Sequence, residues 1–133
     1  GIDMNRGFSV GFQRMTSARN YTGTAAFQAP EAVQLRDFIL AHQGSSNVLI
    51  DVHGWLNETI GDDGIGSYYR NEFGISKHIG TYGNGYLVNW ARSIPNTRSM
   101  LLELPNVTSH DQVVNWDYAG KFNRSTMRLL NDF

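Results

Sequence analysis

Apolar positions along the 133-residue chain fall into short blocks separated by stretches rich in Gly, Ser and Asn, and the period within each block assigns its element. Residues 1–23 show no sustained period and read as ordered loop. Val33, Leu35, Phe38, Ile39 and His42 recur near helical spacing, with Pro30 and Glu31 suited to a first turn and Gly44 as a stop, which predicts a helix over about 30–42. Asn47 to His53 is a compact aliphatic and β-branched run bounded by Gly and Ser, the pattern of a buried and central parallel strand. The span 55–80, with its Gly-Asp-Asp-Gly-Ile-Gly segment, reads as a long loop carrying a short helix near 70–73. A short helix over 86–91 and a second buried strand over 99–104 follow. Ser109 and Gln112 have the spacing of a capping box, and helical character continues to Phe133 with Gly120 as the point of interruption.

Strands and helices alternate, so the predicted class is α/β: a mostly parallel or mixed sheet flanked by helices. The length suits a single domain over residues 1–133. Charge narrows the partners. Eleven basic and twelve acidic side chains give a formal net charge of −1, evenly spread, with no basic stripe for nucleic acid and no polybasic segment for a membrane surface. The absence of cysteine removes disulfides, thiol chemistry and zinc-thiolate sites, and it fits a secreted or a cytoplasmic protein equally.

Candidate chemistry sits where ionisable residues interrupt apolar runs. Leu49, Asp51 and His53 share one strand face by the two-residue period, and Glu103 lies within Leu101-Leu102-Glu103-Leu104. Desolvating an unpaired charge costs several kcal/mol, so each of these groups must be paired, bound to a metal or shifted in its titration. The alternatives are structural: Asp51 capping a loop, His53 bonded to a backbone carbonyl, Glu103 paired with an arginine. Near the start of the chain, Asp3, Asn5 and Arg6 form a second polar group, in which an Arg fork beside an amide has the geometry to grip a carboxylate.

Taken together, four ordered blocks resemble the zinc metallocarboxypeptidase family of the carboxypeptidase A type. Gly1-Ile-Asp-Met-Asn-Arg6 is similar to that family's Gly-Val-Asp-x-Asn-Arg, and Asn20-Tyr-Thr-Gly23 with Phe27-Gln-Ala-Pro-Glu31 is similar to its following loop and helix start. Leu49-Ile-Asp-Val-His53-Gly54 resembles the strand ending in its third zinc ligand, and Ser99-Met-Leu-Leu-Glu103-Leu-Pro105 the strand bearing its catalytic glutamate. The match covers nearly the whole chain but only the C-terminal portion of the family's catalytic domain. No His-x-x-Glu motif, the source of that family's other two protein ligands, occurs in the sequence.

The resemblance implies a fragment of a zinc-dependent hydrolase that releases the C-terminal residue of a peptide. In that reading His53 is a zinc ligand, and Glu103 is the general base and acid acting on zinc-bound water. Asn5, Arg6 and Tyr82 hold the free C-terminal carboxylate of a peptide substrate, with Tyr86 as the rival to Tyr82. With one histidine of the ligand set, zinc binding by this chain alone is expected to be weak and the chain inactive. A missing N-terminal half or self-association is the implied partner for its uncovered surface. The alternative implied is a non-catalytic module that kept the carboxylate clamp and lost the metal. Gly7 and Trp55 depart from the family pattern at the site's rim.

Overall fold

A computed structural model describes residues 1–81 and 83–133. The elements run in the order α1 (Pro30–Ala41), β1 (Asn47–Gly54), β2 (Glu58–Gly61), α2 (Asp63–Phe73), β3 (Lys77–Ile79), α3 (Leu87–Arg92), β4 (Thr97–Leu104), α4 (His110–Asn115) and α5 (Tyr118–Asp132), after a single 3-10 turn at Met4–Arg6. The strands form a four-stranded mixed sheet in the order β1-β4-β2-β3, in which β2 is antiparallel to β4 and parallel to β3. The α/β class and mixed sheet match the sequence expectation. Chain contacts divide the molecule into two compact units, Gly1–Leu49 with Thr81–Arg98, and Ile50–Gly80 with Ser99–Phe133.

The first unit is built around an aromatic cluster. Phe8, Ala29, Ala32, Ile39, Leu87, Trp90 and Ala91 are buried together, with Phe27 packed against them. The rings of Phe8, Phe27 and Trp90 lie 5.4–5.8 Å apart, two of the three pairs edge to face, an arrangement favoured by the ring quadrupoles. Helix α1 begins with Pro30 in its first turn and Glu31 beside the positive end of the helix, as the sequence predicts. The loop over residues 6–10 is clipped to Gly85, whose carbonyl accepts from Phe8 N–H and whose N–H donates to the Val10 carbonyl, both at 3.0 Å. Gly85 has φ +70°, and a Cβ there would lie 2.1 Å from the Arg6 carbonyl oxygen, so the close approach requires glycine.

In the second unit, helix α2 starts at Asp62, whose carboxylate accepts from Ile65 N–H at 2.9 Å, and ends at the left-handed Gly74. Its buried face, Ile65, Tyr69 and Phe73, is shared with β2 and α5. The Tyr69 and Phe122 rings meet at a tilt with centroids 5.4 Å apart, Phe73 meets Tyr118 edge to face at 5.3 Å, and the Tyr69 hydroxyl bonds to Thr126. Outside this apolar seam, Glu72 accepts from Arg124 at 3.0 Å and pairs with Arg128 at 2.8 Å.

Four expectations give way here. The span 55–80 is structured through β2, α2 and β3. Strand β2 has four residues, too few to show a period, and α2 contains Gly64 and Gly66, which mask its helical pattern. Gly66 has its own reason to be there: a Cβ would lie 3.1 Å from Thr59 Oγ1, so glycine lets the helix close onto β2. Strand β1 lies at the end of the sheet order instead of its centre, which explains why none of its residues is fully buried. The C-terminal helix breaks at Asp117, with φ +53°, before Gly120 is reached, and Ser109 makes no side-chain cap although Gln112 accepts from Thr108 N–H.

Gly74 and Gly85, both with positive φ, separate conformational cost from overlap. Gly74→Ala has open space for its Cβ and should lose about 1–2 kcal/mol for the left-handed backbone alone. Gly85→Ala adds a collision with backbone that cannot rotate away, so its loss in urea denaturation should be clearly greater. Equal losses would contradict the clip at Gly85.

Candidate functional site

Strand pairing brings the second unit's ionisable groups to one place. On β1 the two-residue period puts Asp51 and His53 on the same side, and His53 Nε2 lies 2.9 Å from Asp51 Oδ1. The histidine side chain is 36% exposed and the aspartate 15%, so the imidazole faces solvent over a more sheltered carboxylate. Glu103 sits on β4, next to β1 in the sheet, and accepts a hydrogen bond from the backbone of Leu56. Its Oε2 is buried with no hydrogen-bond partner among the described residues. Directly across the β2–β4 ladder stands Glu58, 2% exposed, which forms an ion pair with Lys77 on β3.

These surroundings fix the behaviour of Glu103. Burial pushes its pKa above the ordinary glutamate value, and the neighbouring Glu58 and Asp51 push in the same direction. His53 and the Leu56 N–H oppose the shift without cancelling it. Glu103 therefore keeps its proton to higher pH than a free glutamate, able to donate a hydrogen bond when neutral and to accept several when ionised.

The sequence-predicted residues divide between the two units. His53 and Glu103 belong to the second and influence one another electrostatically. Asn5 and Arg6 belong to the first, where both have structural work. Asn5 Oδ1 accepts from Leu87 N–H at 2.9 Å, and the Arg6 guanidinium lies over the Tyr86 ring, 4.0 Å from its centroid. Asp3 accepts from Asn5 N–H at 3.1 Å and so caps its own turn. Tyr82 lies outside the described residues. Glu58 and Lys77 escaped sequence reading. The signal that singles out Glu103, a carboxylate leading into β-forming residues, is also present in Glu58-Thr59-Ile60, but within a stretch read as loop.

No family model matches the chain. The chain is similar to a curated bacteriocin, BCN5 of Clostridium perfringens, with 37% identity over 138 residues. The match takes in 97% of this chain and 15% of that protein. This relative, named as a bacteriocin and not as a peptidase, overturns the zinc metallocarboxypeptidase expectation, its hydrolase activity, and the carboxylate-binding module derived from the same family. The donor set agrees with the correction. Among the described residues no group of three or more His, Cys, Asp or Glu side chains is placed to hold a metal ion, and His53 Nε2 is engaged by Asp51. His53 and Glu103 do not form a zinc centre with the residues described, and no step through zinc is derived for them.

The raised pKa of Glu103 has a signed consequence for stability. The native state binds this proton more tightly than the unfolded chain, so the group's stabilising contribution is complete below the ordinary glutamate pKa and is lost as the pH rises through the raised value. Glu103→Gln removes that loss and should raise the melting temperature at neutral pH, with little effect near pH ~4. A lower melting temperature at neutral pH, measured by circular dichroism, would show that the ionised carboxylate is favourable there.

Proposed function

We propose that the chain is a module of a bacteriocin-type protein and that its task is to engage the surface of a target bacterium. The observation that carries this reading is the 37% identity to the BCN5 bacteriocin across almost the full chain. A module making up 15% of such a protein's length contributes one step of its action, and the surface of the second unit favours binding as that step. Trp55, Leu56, Val114 and Trp116 are all exposed large apolar residues of that unit. Exposed tryptophans place wide, rigid faces in water, where they gain most by contact with a ligand. The Asp51, His53 and Glu103 groups add hydrogen-bonding capacity tied to the same loop, because Glu103 accepts from Leu56.

Fluorescently labelled chain should bind saturably to whole cells of at least one strain in a panel that includes Clostridium perfringens, and unlabelled chain should compete. Trp55→Ala should weaken that binding by roughly fivefold or more, the scale of losing one well-packed aromatic contact. Saturable binding to none of the panel, with the chain shown to be folded, would defeat the proposal.

A further inference from the structure

Within the second unit, a recess of about 360 Å³ lies between Trp55 and the segment 107–113, lined by Trp55, Val107, Thr108, Ser109, His110 and Val113. That volume is at the lower end of the range for small-molecule sites, ~300–1,000 Å³. Its walls are of two kinds. Trp55, 46% exposed, gives one broad aromatic face, and Val107 and Val113 give a small aliphatic one. Between them are polar side chains that the protein does not use: Thr108 Oγ1, Ser109 Oγ and the His110 ring make no hydrogen bond or ion pair among the described residues, and Ser109 leaves the adjacent helix uncapped. The backbone N–H of Thr108 is already taken by Gln112, so the polarity offered to a ligand comes from side chains.

We propose that this recess binds one ring of an N-acetylated hexosamine, a reading that rests on the surface-binding function above and names its ligand class. A pyranose ring has a face of C–H groups, weakly positive, that complements the negative face of an indole. Its hydroxyls require donors and acceptors at the ring's edge, which two hydroxyls and an imidazole supply in both senses. The acetamido methyl distinguishes this sugar from a plain hexose and matches the valine wall, where burying a methyl group gains hydrophobic free energy. An anionic ligand is disfavoured because no Lys or Arg lines the recess. A purely apolar one would leave the three polar side chains without partners.

The test is titration of the 133-residue chain with tri-N-acetylchitotriose, followed by calorimetry and by tryptophan fluorescence, with maltotriose as the unacetylated control. Saturable one-to-one binding is expected for the acetylated sugar. Trp55→Ala should weaken it at least roughly fivefold, and Leu130→Ala, at an exposed position of α5 outside the recess, should leave it unchanged. The variant Thr108→Val with Ser109→Ala changes only exposed side chains, and it should also weaken binding if Trp55→Ala fails to fold. Absence of saturable binding overturns the proposal, as does binding that survives both sets of substitutions. Equal affinity for maltotriose overturns the acetamido assignment. Cell binding that persists but is not competed by the acetylated sugar defeats this inference while leaving the surface-binding function standing; loss of cell binding with sugar binding intact does the reverse.

Discussion

The sheet of this protein is organised around one buried carboxylate. Glu58 is almost fully enclosed on β2, and its charge is answered by Lys77 from the parallel neighbour β3. A buried charge separated from its partner costs several kcal/mol, so the pair selects the register in which Glu58 stands opposite Lys77. Across the separate antiparallel ladder with β4, Glu58 stands opposite Glu103. Burial is the main reason that Glu103 keeps its proton to higher pH than a free glutamate, and the like charge of Glu58 directly across the ladder adds to it. The chemistry of the candidate site thus follows from burying one carboxyl group beside another.

How much of this was readable beforehand depended on local signal. Helix α1 was legible because Pro30, Glu31 and a helical apolar period all agree. Strands β1 and β4 were legible as runs of aliphatic residues interrupted by ionisable groups, Asp51 and His53 in β1 and Glu103 in β4. Strands β2 and β3 were not, since four and three residues cannot display a period and their identity is settled by long-range pairing. Glu58 was hidden with them. The position of β1 in the sheet is likewise a matter of topology, which the residues of a single strand do not encode.

The site also shows why motif order is a weaker guide than the groups that surround a residue. Four short blocks resembled a metallopeptidase, yet the described residues supply no three-ligand group, His53 is joined to Asp51, and a bacteriocin matches 97% of the chain. Asn5 and Arg6, read in sequence as a clamp, lie in the first unit, where Asn5 accepts from Leu87 N–H and Arg6 lies over the Tyr86 ring. The recess beside Trp55 was announced by no motif.

The claim that burial, reinforced by the opposing Glu58, raises the Glu103 pKa is tested most directly by following the Glu103 carboxyl carbon through a pH titration by NMR, in the natural chain and in Glu58→Gln. The account predicts a Glu103 midpoint above the ordinary glutamate range in the natural chain, and a lower one once the opposing carboxylate is gone. A Glu103 that titrates as a free glutamate, or one whose midpoint ignores the substitution in a folded variant, would contradict it.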